Sequence, residues 1–196
     1  MNYAEIEKQQ RAVTDWLAET NWHVFGTLKF TDGCAIRLRT AEKLVCKYFN
    51  KLDRAYYGNA ATNVGMRHNR VVFKHMGTSG TNLHYHFLAK PHTDPALFAD
   101  LARKQWADMD SWTMGFADTD ITAVRNNKGS SIYMPHEYKK LGADCMFLKA
   151  SAFKVPKHSP LKYRNIYQMR RLLAIQSLST KEIEYDANDE DAFYIT

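Results

Sequence analysis

Residues 69–90 read NRVVFKHM, GTSGTN, LHYHFLAK: two strand-like apolar runs separated by a six-residue break rich in Gly, Ser, Thr and Asn. Runs this close return on each other as an antiparallel pair. That hairpin fixes which residues share a face. Side chains alternate along a strand, so His84 and His86 point one way, and Tyr85, Phe87 and Ala89 the other. His75, at the end of the first run, comes back opposite the start of the second.

The other elements are placed around this hairpin. Residues 4–19 carry Ile6, Val13, Trp16 and Leu17 at helical spacing. WHVFGTLKF (22–30) is a strand ended by the turn TDG. A helix capped by Thr40 is predicted through about Tyr57, with Leu44, Val45, Tyr48, Phe49 and Leu52 inward. Asp94 and Pro95 mark the cap and first turn of a helix to about Met109. TDITAVR (119–125) is a further strand, NNKGSS a break, IYMPHEYKKLG a short helix stopped by Gly142, and 159–176 a last, basic helix.

The core order is therefore β-α-β-β-α-β, a split βαβ arrangement. The expected class is α+β: an antiparallel, ferredoxin-like or RRM-like sheet with two helices on one face. Extra helices lie at both ends, and the other face is left free for ligands. Residues 1–180 read as one domain and 181–196 as an acidic tail, in which Lys181 is the only basic residue.

The chain carries a net charge of +6, and the tail makes the preceding residues more basic still. That favours an anionic partner without naming one. Cys34, Cys46 and Cys145 form no CxxC pair, and their odd number does not suit a disulfide scaffold. Charges interrupt MNYAEIEKQQ where a signal peptide needs an apolar core, and no run approaches a membrane span. The expectation is a soluble, cytoplasmic protein without membrane contact. No GxxxxGK[ST] loop occurs, so unwinding or nucleotide hydrolysis has no recognisable module.

Two imidazoles on one strand face, with His75 brought opposite, make a candidate three-nitrogen metal site with open positions for substrate. Nitrogen donors suit Mn²⁺, Zn²⁺, Co²⁺ or Ni²⁺, whereas Mg²⁺ prefers oxygen. Tyr133 and Tyr138 lie in the short basic helix after the last core strand. A phenol is a weak nucleophile at neutral pH, but a metal and neighbouring cations make its attack on a phosphodiester feasible. The alternatives are satisfied polar residues on a half-exposed sheet, a metal hydrolase using water, and a non-catalytic RRM-like module. The last lacks the aromatic RNP run.

With these residues in hand, the chain resembles the HUH endonuclease superfamily, in particular rolling-circle replication initiators of phages, plasmids and small single-stranded DNA viruses. FGTLKF (25–30) is similar to their first motif, LHYHFLAK to the histidine–hydrophobic–histidine motif, and YMPHE (133–137) to the tyrosine motif. The resemblance spans residues 22–142. It departs twice: His75 stands where an acid is frequent, and His136 stands where the tyrosine motif has lysine. Relaxases and transposases of the same superfamily are the neighbouring readings.

The resemblance implies a Mn²⁺ or Mg²⁺ enzyme with His75, His84 and His86 as ligands. It would nick and rejoin single-stranded DNA at a replication origin through a 5′-phosphotyrosine. Tyr133 is the preferred nucleophile and Tyr138 the rival. A separate host helicase and polymerase would act with it. Lys29, Arg37, Arg39, Arg67, Arg70, Lys74 and Arg125 are candidate contacts to DNA, with Lys162, Arg164, Arg170 and Arg171 in the last helix.

Overall fold

A computed structural model describes residues 3–63, 65–153 and 193–194. The predicted helix over 159–176, its basic residues and most of the acidic tail lie outside the described residues. The fold is α+β, built on one four-stranded antiparallel sheet.

Its strands are β1 (Val24–Lys29), β3 (Asn69–His75), β4 (His84–Lys90) and β5 (Asp120–Ala123), in the order β3-β4-β1-β5. A second, two-stranded sheet pairs β2 (Met66–Arg67) with β6 (Phe193–Tyr194). The helices are α1 (Tyr3–Glu19), α2 (Leu38–Tyr57), α3 (Ala60–Asn63), α4 (Pro95–Ala107), α5 (Asn127–Tyr133) and α6 (Tyr138–Leu141). The two crossovers, through α2 and through α4, each leave a gap that the other half of the fold fills. That is the split βαβ order read from the sequence.

On one face, Val24, Leu28, Val72, Tyr85, Phe87, Ala89 and Ile121 pack against α2 and α4. The helices contribute Leu44, Val45, Tyr48, Phe49 and Leu52, and Phe98, Ala102 and Trp106. Gly26 sits opposite Phe87 in the ladder, and a Cβ there would fall 2.2 Å from the Phe87 ring. The bare backbone is what lets that ring lie across β1.

The opposite face is covered on one half. Val71, Phe73 and Leu88 pack with Val13, Trp16 and Leu17 of α1, and with Met134, Tyr138, Cys145, Met146 and Phe153. This corrects the expectation of a wholly free second face: the apolar stripe of α1 needs burial, and β3–β4 supplies it. The uncovered half lies over β1 and the first part of β4. Beyond β3, residues 146–152 run along its outer edge, with Phe147 N–H donating to Val72 O and Ala152 N–H to Arg70 O, both at 2.8–2.9 Å. The exposed hydrogen-bonding row of an edge strand is thereby paired.

Two local readings also change. Helix α2 starts at Leu38 with Arg37 as N-cap, not Thr40. NNKGSS is not a break: Asn126 accepts from Gly129 N–H at 3.0 Å and starts α5 inside it. The cap at Asp94 is as expected, accepting from Ala96 and Leu97 N–H at 2.9 and 3.0 Å.

Arg70, a predicted DNA contact, is buried. Its guanidinium lies 2.9 Å from Asp53 Oδ1, 2.7 Å from Ala150 O and 4.6 Å above the Phe49 ring. Arg67 is drawn to the same Asp53, at 3.5 Å. Arg70 thus pins α2 to β3, and Arg67 draws β2 to the same helix. The Gly26→Ala protein should be less stable by about 1–3 kcal/mol, through overpacking against Phe87. Denaturant titration with an unchanged slope and a lowered midpoint is the expected result.

Candidate metal centre

The β3–β4 register places His75 directly opposite His84, with His86 opposite Phe73. The loop between them holds this register with Asn82 N–H donating to Met76 O at 2.8 Å. Gly77 and Gly80 supply the positive φ angles of 71° and 75° that the reversal uses. One ring nitrogen from each of His75, His84 and His86 lies within 4.8 Å of the other two. The ring centroids are 4.6–5.6 Å apart.

Each ring is held from behind. His75 Nε2 lies 2.9 Å from Met134 O, and His84 Nδ1 lies 2.8 Å from Asn82 O. A carbonyl only accepts, so in the neutral ring each of these nitrogens carries the proton. The other nitrogen is left with its lone pair. His86 Nδ1 meets Thr27 Oγ1 at 3.0 Å, and Thr27 is its ladder partner on β1. The opposite nitrogens, His75 Nδ1 and His86 Nε2, are buried and have no hydrogen-bond partner. Buried orphans of this kind are costly. Two of them converging with a third imidazole fit a divalent cation, and the backing oxygens are the supports such ligands use.

Burial, and then the positive charge of neighbouring histidines, holds His75 down to about 3 and His86 down to about 2. Burial also lowers His84. All three are neutral at pH 7, the form that ligates. A second set, His75, His136 and Glu137, also brings ligand atoms within 4.8 Å of one another. Glu137 is 2% exposed, and its Oε2 accepts from Met76 N–H at 2.7 Å, tying α6 to the end of β3.

Tyr133 ends α5 and is 45% exposed. Its ring lies 5.0 Å from His86, 4.6 Å from His136 and 6.0 Å from Phe25. It borders a cleft of about 650 Å³ with Phe25, Thr27, Lys29, His84, His86 and Asp120. Burial, followed by the charges of Glu137 and Asp120, raises its phenol above the ordinary value, so at neutral pH it rests protonated.

Tyr138 is not in this cleft, which corrects its place as a rival nucleophile. It is fully buried among the α1 contacts, with its hydroxyl donating to Gln9 Oε1 at 3.2 Å. Burial pushes its phenol up as well. Among the predicted DNA contacts, Lys29 faces the cleft, whereas Arg39 belongs to the opposite, helical side.

Thr27, Met134 and Asn82 were not legible as parts of this centre. Two of them act through backbone carbonyls, which carry no residue signature. Thr27 is found only once the β1–β4 register is known.

No family model matches the chain, and neither does any curated protein or solved structure. No described helix is long and apolar enough to cross a membrane.

Titration of Mn²⁺ or Zn²⁺ should raise the melting temperature of the wild-type protein and leave that of His86→Ala unmoved. At one hundred times Kd the gain is about 2.7 kcal/mol. In acid the metal-free protein should lose stability. An unfolded histidine titrates near 6.5, while His75, His86 and His68 (held to about 3) refuse the proton when folded. Above pH 6.5 neither state binds it. As pH falls below 6.5 the unfolded state gains, by on the order of 1 kcal/mol per pH unit for each such histidine. Melting curves between pH 7.5 and 5 read this directly.

Proposed function

We propose that the protein is a metal-dependent nicking and joining enzyme of the HUH type, acting on single-stranded DNA and initiating rolling-circle replication. The observation that carries this reading is the Tyr133 ring 5.0 Å from His86, in an open cleft lined by His84 and His86 of the three-imidazole cluster. The motif order and the split βαβ core support it. Mn²⁺ or Mg²⁺ would be held by His75, His84 and His86.

An ion held there would supply positive charge to offset the negative charge that builds up on the scissile phosphate. Lys29, in the same cleft, adds charge that attracts the strand. Phe25, on the same face of β1, offers a ring for a base to stack on. Tyr133 Oη attacks phosphorus in line, and a P–O bond to tyrosine forms as the bond to the 3′ oxygen breaks.

His136 lies against Tyr133, with its Nδ1 2.8 Å from Tyr133 O, so that nitrogen carries the proton. Its Nε2, 3.8 Å from Glu137 Oε1, is then the ring atom that would accept the phenolic proton. The 3′ oxygen takes a proton from water. The protein stays on the 5′ phosphate, and a later 3′-OH reverses the reaction and joins strands. Strand separation and synthesis fall to a host helicase and polymerase.

Labelled single-stranded DNA incubated with protein and Mn²⁺ should yield a denaturant-resistant adduct. Tyr133→Phe should abolish it while retaining DNA binding, and Tyr138→Phe should leave it. Cleavage at full rate by Tyr133→Phe would point to water as nucleophile. Binding with no adduct from any form would point to an RRM-like module.

A further inference from the structure

Helix α2 lies on the side of the sheet away from the histidine cleft, and its outward face is cationic along its whole length. Arg39, Lys43, Lys47, Lys51 and Arg54 are all exposed and, with Lys149, line one shallow groove of about 610 Å³. None of the six forms an ion pair with a described residue. The helix has two acids. Asp53 is turned inward onto Arg70 and Arg67, which leaves Glu42 alone on the outer side.

The start of the helix runs against its own electrostatics. Arg37 is the N-cap without a side-chain cap bond, Arg39 follows in the first turn, and no acid is there to meet the positive end of the dipole. A chain that places cations where they destabilise its longest described helix breaks a local rule, and such breaks mark functional surfaces.

We infer that this face of α2 is a second nucleic-acid surface, one that holds the backbone phosphates of a DNA duplex. The choice of DNA over another polyanion rests on the nicking function proposed above. Residues four apart rise about 6 Å along a helix, so Arg39, Lys43, Lys47 and Lys51 form a row with a step comparable to that between successive phosphates. No aromatic side chain lines the groove. A single-strand surface needs aromatic faces for unstacked bases, whereas a duplex keeps its bases stacked and offers phosphates alone. The two surfaces are thus divided by the sheet: the cleft with Phe25 and Tyr133 takes the single strand, and α2 takes the adjoining duplex.

The test measures binding of a fluorescein-labelled random duplex as a function of salt. It compares wild type, the double variant Lys43→Gln/Lys47→Gln, and a control with the same loss of charge on α1, Lys8→Gln/Arg11→Gln. All four positions are exposed, and unchanged melting curves verify folding. The α2 variant should bind roughly tenfold more weakly, with a log–log salt slope shallower by about 2, and the control should match wild type.

Adduct formation on a short single-stranded oligonucleotide should be unchanged in the α2 variant. Equal loss in the control, or none in the α2 variant, overturns the inference. So does poly-L-glutamate binding as tightly as the duplex with the same dependence on Lys43 and Lys47, which would assign the groove to acidic polypeptide. Failure of wild type to form any adduct, with the duplex result intact, would overturn the nicking function and leave the α2 surface standing.

Discussion

Three imidazoles converge at the edge of the cleft, two of them buried, and that arrangement persists only if the buried N–H groups in it are spent. Met134 O and Asn82 O accept from His75 and His84, and Thr27 Oγ1 meets His86 Nδ1, each from a different part of the chain. Charged rings would repel one another at these distances, so neutrality is built in by burial. What remains is a set of lone pairs without partners, and the surrounding fold is arranged to hold that set rather than to relieve it.

The sheet provides the rigidity. β4 is one of the two central strands, paired with both β3 and β1 from His84 to Ala89, so His84 and His86 sit on a strand laddered on both sides. Tyr85 and Phe87, on the reverse of the same strand, anchor it into the helical layer. One strand thus carries core on one side and the histidine pair on the other. The Asp53–Arg70 pair does the same for β3, binding it to α2 at the end opposite to His75.

The hairpin, its register and the sharing of a face by three histidines were legible because period-two alternation and a short Gly-rich loop leave little freedom. So was the α4 cap, a local Asp–Pro signal. The covering of the second sheet face was not. The apolar positions of α1 show that the helix buries a stripe, but nothing in them names the surface it meets. Tyr138 misled for a related reason. Two adjacent lysines suggest a surface, yet the hydroxyl is satisfied by Gln9, 129 residues away. The start of α2 was misplaced because Thr40 is the better cap by type, and local propensity yields to the packing of the helix's apolar face.

Residues 133 and 134 are neighbours with divided duties. The phenol of one stands in the cleft, while the other sinks its side chain beneath α1 and lends its carbonyl to the imidazole at 75. The phenol at 133 and the imidazole at 75 are therefore tied together through adjacent residues of one turn. Any drift of the turn that follows α5 would displace the phenol and release the ring at once, so the cleft and the imidazole cluster can only loosen together.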